Sequence, residues 1–142
     1  MRPNSIVKFE QFYLGAMVIG LVNGALNWSN SAALLEADPS LAGWGSGFLV
    51  VSMVIGIGIA LLLWYFAARK ASNVAKWIIT VFFGFSLISL PFSFGTLPML
   101  NLVVTLVTYV LQAYAVYLLF QPDARQWFST KGETPDLEKT FE

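Results

Sequence analysis

The chain has 142 residues, 57% of them apolar and 11% charged, with zero net charge and neither histidine nor cysteine. Soluble domains sit near ~45–50% apolar and ~25% charged, so this composition points to a membrane protein. It excludes disulfides, thiol nucleophiles, haem ligation by His or Cys, Cys/His zinc sites and Ser–His or Cys–His catalysis, and it offers no basic patch to nucleic acid.

Four apolar stretches, 12–28, 48–66, 74–90 and 99–120, are separated by polar or turn-forming residues. A helix of ~20 residues spans the ~30 Å hydrocarbon layer. Lys76, near the start of the third stretch, is the one charge inside them. Period-two alternation is missing, so a β-barrel does not fit. The sequence predicts an all-α polytopic membrane protein, a four-transmembrane-helix bundle forming one domain over residues 1–128.

The first stretch follows Arg2 and Lys8 and precedes Ser29-Asn30-Ser31. That order also suits a cleaved signal peptide. We read the segment as a retained span, because it carries a packing motif of its own. Ala16, Gly20 and Gly24 recur at intervals of four, and Asn23 and Asn27 share their side of the helix. Small residues at i and i+4 let a neighbouring helix approach closely, either in a dimer or within one chain.

The connection 29–47 predicts a short interfacial helix over 31–37, with Leu34 and Leu35 toward lipid and Glu36 toward water. Asp38-Pro39 ends it, and Gly43, Gly45 and Gly47 loosen the return to the bilayer. The second stretch repeats the small-residue theme with Ser52, Gly56 and Ala60. Trp28 and Trp44 mark one membrane interface, and Trp64, Tyr65, Trp77 and Trp127 the other. At that second interface Arg69, Lys70, Lys76 and Arg125 either contact lipid headgroups or serve only to set topology.

The connection 91–98 is short and uncharged, so the third and fourth helices form a tight antiparallel hairpin. The fourth stretch spaces Asn101, Thr105, Thr108, Gln112 and Ala115 by 4, 3, 4 and 3 residues, a seam on one face. Amides and hydroxyls left unsatisfied in hydrocarbon cost several kcal/mol each, so the seam faces inward. At ~1.5 Å rise per residue, Asn23 lies level with Thr105 and Thr108, and Asn27 with the Asn101 end. These polar faces are either hydrogen-bonded glue or a small polar cavity open to the outside. Pro122 and Asp123 start a short amphipathic helix over 122–128, with Trp127 and Phe128 on the membrane. Residues 129–142 read as a polar, disordered tail.

Orientation follows from charge. Arg2, Lys8, Arg69, Lys70, Lys76, Arg125, Lys131 and Lys139 all fall on one side, and the opposite loops hold only Glu36 and Asp38. The positive-inside rule places both termini in the cytoplasm. No Asp, Glu, Arg or His lies in the central part of any helix, which argues against proton relays, cation-coupled carriers and voltage sensors. Small multidrug-resistance exporters need a carboxylate in their first helix, and dual-topology channels need little charge bias. Four-helix quinone-linked disulfide enzymes need cysteine pairs, and four-helix b-type cytochromes need histidines. Nothing at membrane depth would activate a Ser, Thr or Tyr nucleophile, so neither an enzyme nor a cofactor is expected.

Three short motifs add a resemblance. Arg2-Pro3-Asn4-Ser5-Ile6 with Phe9, Glu10, Tyr13 and Leu14 is one, and Ala68-Arg69-Lys70-Ala71-Ser72-Asn73 is the second. The third is Pro122-Asp123-Ala124-Arg125-Gln126-Trp127-Phe128. Together they resemble a group of small, uncharacterised four-helix inner-membrane proteins of Gram-negative bacteria. The resemblance covers residues 2–128 and implies a plasma-membrane location and a four-helix fold, with no activity and no functional residue. The functional expectation is a non-enzymatic interaction, accessory or scaffold subunit. Its partners would be the lipid bilayer and another membrane protein or a second copy. The alternative is a passive pore or neutral-solute-binding protein built on the seam between the first and fourth helices.

Overall fold

A computed structural model describes residues 2–95 and 98–132 of the chain. Among them are six α-helices and no strand: α1 (Asn4–Leu26), α2 (Trp28–Ala37), α3 (Gly45–Ala68), α4 (Asn73–Ser93), α5 (Met99–Leu119) and α6 (Pro122–Ser129). A 3-10 turn, Ala42–Trp44, leads into α3, and Gly45 makes that junction with φ +63°, a value only glycine adopts freely. Four segments are long and apolar enough to cross a membrane: Asn4–Leu26, Ala42–Ala68, Asn73–Phe92 and Met99–Leu119.

The first helix begins eight residues before the apolar stretch that announced it. The Pro3 carbonyl accepts the Ile6 and Val7 N–H groups and opens the helix. Glu10, which interrupts the apolar pattern, pairs with Arg2 and with Arg69 at 3.2 Å. Ion pairing thus lets Glu10, one turn from Ile6 on the same face of a continuous helix, sit at the edge of the core beside buried Ile6 and Phe9. The helix stops at Asn27. Its side-chain amide donates to the Asn23 carbonyl at 2.8 Å, and its own N–H donates to the same oxygen at 3.0 Å. The chain then turns into α2, which starts three residues before the expected 31–37 helix.

Two expectations about amphipathic pieces are corrected. Leu35 does not dip into lipid. It is 7% exposed, because α2 lies against α3, whereas Leu34 is 64% exposed. Trp127 and Phe128 do not lie on the membrane either. Phe128 and Ala124, four residues apart on one face of α6, are buried in the core, and Trp127 packs beside them. Ser129 ends α6, and Thr130, Lys131 and Gly132 form its closing turn, so order extends past the expected start of the tail. From residue 133 on, Lys139 included, the predicted tail lies outside the described residues. Pro91 lies in the last turn of α4, where the Leu87 carbonyl loses its i+4 donor and few further turns remain to be disturbed, and α4 runs past the expected end at 90.

Packing is uneven along the bundle. α1 and α5 make the most extensive pair, antiparallel and side by side. The core joins Ile6 and Phe9 of α1, Ala67 and Ala68 of α3, Ala75 and Ile79 of α4, Leu118 and Leu119 of α5, and Ala124 and Phe128 of α6. All lie in the half of the molecule that carries Arg2, Arg69, Lys76 and Arg125, here called the basic end. Toward the far end, Val18, Val22 and Leu26 of α1 and Val50, Val51 and Val54 of α3 are exposed. Buried residues concentrate at the basic end, and the far end is held by the α1–α5 and α2–α3 contacts and by the Asn27–Asn101 hydrogen bond.

Candidate functional site

The seam predicted on α1 and α5 divides into two parts. At the far end Asn23, Asn27 and Asn101 are joined directly. The Asn27 amide donates to the Asn23 side-chain oxygen at 3.0 Å, and the Asn101 amide donates to the Asn27 side-chain oxygen. Thr105 and Thr108 are half-buried, and the Thr108 hydroxyl donates to its own helix at the Val104 carbonyl, 2.9 Å away. Ala115 is buried in the α1–α5 contact.

Gln112 lies apart from the asparagines. It lines a cavity of about 110 Å³ with Tyr13, Leu63, Phe82, Phe83 and Ser86, so the space belongs to α1, α3, α4 and α5 together. Of the two alternatives for the α1–α5 seam, the asparagine part shows the direct hydrogen bonds of glue, and the cavity lies at Gln112. The other polar groups around the cavity are engaged. The Tyr13 hydroxyl donates to the Ala60 carbonyl at 3.0 Å, and the Ser86 hydroxyl donates to the Phe82 carbonyl at 2.9 Å. The Gln112 amide has no hydrogen-bond partner among the described residues.

The small-residue faces are mostly open. Ala16 is buried. A Cβ placed on Gly20, Gly24 or Gly56 would meet no heavy atom within 4 Å. Ser52 is exposed and Ala60 half-buried. Packing within one chain uses Ala16 and leaves those three glycines without a close neighbour.

The basic end is where polar side chains converge. Asp123, in the first turn of α6, accepts the Ser5 N–H at 3.1 Å and the Ser5 hydroxyl at 2.7 Å. Burial alone would raise its carboxyl pKa. The bonds from Ser5 and from the Ala124 N–H outweigh that and hold it below the ordinary carboxylate range. At the far end Asp38 is also held low, by the Ser40 hydroxyl at 2.6 Å and the Ser40 N–H at 2.8 Å. Arg69 pairs with Glu10 and lies 5.8 Å from the Trp64 ring centroid. Lys70 and Arg125 are exposed. Lys76 is buried among the rings of Trp77, Phe120 and Phe128. No three His, Cys, Asp or Glu residues come together among the described residues.

Sequence reasoning did not find the tyrosine latches or the Ser5–Asp123 contact. Tyr13 ties α1 to α3, and Tyr109 ties α5 to α4 by donating to the Ser86 carbonyl at 2.9 Å. The available signal was a phenol within an apolar stretch, since a buried hydroxyl needs an acceptor. No family profile, curated protein or solved structure matches this chain.

Proposed function

We propose that the chain is a non-enzymatic subunit of a bacterial inner membrane, with both termini cytoplasmic, that binds another membrane-embedded helix through the far halves of α1 and α3. One observation carries the reading: Gly20, Gly24 and Gly56, like the other glycines of α1 and α3, have open space where a Cβ would stand, away from the core at the basic end. Glycine within a helix costs about 0.5–1 kcal/mol relative to alanine and gives this chain no contact in return. Its gain is a backbone that a second helix can approach. The segregation of the basic residues supports the orientation, and the resemblance of three short motifs to small Gram-negative inner-membrane proteins suggests the location.

The test is association in a mild detergent, read by mass. The parent is expected to carry a stoichiometric partner, either a second copy or another membrane protein. Gly20→Leu and Gly24→Leu are expected to release it while leaving the monomer folded. A parent that stays monomeric and alone, or variants that keep the partner, would overturn the proposal.

The Gln112 cavity favours a second reading, a site for water or a small neutral solute. Each water needs roughly 10–15 Å³ of such space and several polar partners, so the volume suffices for a few. The lack of charge suits neutral molecules over ions. In vesicles, Gln112→Leu is then expected to lower water or glycerol permeation relative to the parent. Rates equal to those of protein-free vesicles for the parent itself would remove this reading.

A further inference from the structure

The four basic side chains at the rim are not equivalent. Arg69 has a carboxylate partner in Glu10, and Lys70 lies open. Lys76 is only 8% exposed, and its ammonium lies 5.4, 5.1 and 5.3 Å from the ring centroids of Trp77, Phe120 and Phe128. Among the described residues both ion pairs belong to Glu10, so Lys76 has no carboxylate within 4.0 Å. Asp123, on the neighbouring helix, is taken up by Ser5. Arg125, one turn before Phe128 on α6, brings a second cation to the side of the bundle where Lys76 meets the Phe128 ring. Aromatic faces attract an ammonium but carry no net charge. A buried cation without a carboxylate, with a second cation one helical turn from its ring contact, is an arrangement that an anion completes, and phosphate oxygens suit both ammonium and guanidinium.

A second observation says what the anion is attached to. On the outer face of α4, Val74, Trp77, Ile78, Val81 and Phe82 line an open apolar groove. The groove begins at the turn that carries Lys76 and runs toward the far end, and Trp77 borders both the groove and the lysine. A cationic pocket continuous with an apolar track matches an amphiphile with an anionic head and a hydrocarbon tail.

We propose that Lys76 and Arg125 bind the phosphate of an anionic glycerophospholipid whose acyl chain lies along Val74, Ile78 and Val81. A zwitterionic lipid also offers a phosphate, but its own ammonium would bring a third cation to the pocket. The site therefore selects for net negative charge. The proposal rests on the membrane placement of α4 and not on the glycine faces of α1 and α3.

The full chain is purified from vesicles containing equal amounts of phosphatidylglycerol and phosphatidylcholine, and the retained lipids are counted by native mass spectrometry. The parent is expected to keep phosphatidylglycerol in preference. Lys76→Gln and Arg125→Gln are each expected to reduce that preference roughly fivefold, and Lys70→Gln, an equal change of charge on the same rim, to leave it intact. Arg125 is exposed, so its variant keeps the fold even if replacing the buried lysine disturbs it. Gly24→Leu is expected to retain the preference, which separates this proposal from the one above. Equal retention of the two lipids by the parent would overturn it. So would an equal loss in Lys70→Gln, which would make the effect one of bulk charge. Displacement of the lipid by inorganic phosphate would overturn the lipid assignment and leave a free-anion site.

Discussion

Ser5 and Asp123 supply at the start of α1 what the local sequence does not. Pro3 has no side chain able to cap a helix, and the first-turn N–H of Ser5 is instead met by a carboxylate 118 residues away. Losing such a cap costs about 1 kcal/mol, the expected penalty of Asp123→Ala in thermal unfolding at neutral pH. The sign of the pH dependence follows from the depressed carboxyl pKa. A group whose folded pKa lies below its unfolded value, ~3.9 for Asp, contributes fully above that value. The contribution is lost as pH falls through the folded pKa. The gap in Tm between parent and Asp123→Ala is therefore constant from neutral pH down to about 5 and closes below about 4. A gap of the same size at pH 3 would show that the charge is not its source.

At the scale of the element, α1 is two different helices in one. Its first half places Ile6, Phe9, Tyr13 and Ala16, spaced 3, 4 and 3, on the side facing the core. Its second half leaves Val18, Val22 and Leu26 exposed. Phe9→Ala is expected to cost about 3 kcal/mol, because it opens a cavity in a closed core. Val22→Ala is expected to change stability by less than about 0.5 kcal/mol, because the side chain is more than half exposed. Unfolding in detergent compares the two, and equal losses would contradict the uneven packing. This division also marks how far the sequence was legible. Apolar length alone revealed the four long helices, and their boundaries shifted where polar residues were paired, as Glu10 is with Arg2 and Arg69. The inward face of α5 was legible because hydrocarbon penalises bare amides, and counting 1.5 Å steps brought Asn27 level with Asn101. The Lys76 pocket was not, because Phe120 and Phe128 come from helices whose placement against α4 no local pattern encodes. The glycine stripes were legible as small, but size does not say which helix, if any, fills the space.

For the whole molecule, the proposed topology predicts that an impermeant thiol reagent on intact cells labels Ser31→Cys and not Ser129→Cys. The chain has no cysteine of its own, so each introduced thiol reports alone. The reverse pattern would invert the molecule. The Ser5–Asp123 contact has a further consequence, in time and not in space. Synthesis delivers α1 before α6, so the nascent chain first holds α1 with Ser5 uncapped and with Ile6 and Phe9 lacking Ala124 and Phe128, which share their core. Every long helix is already made before the final turn arrives to close the basic end.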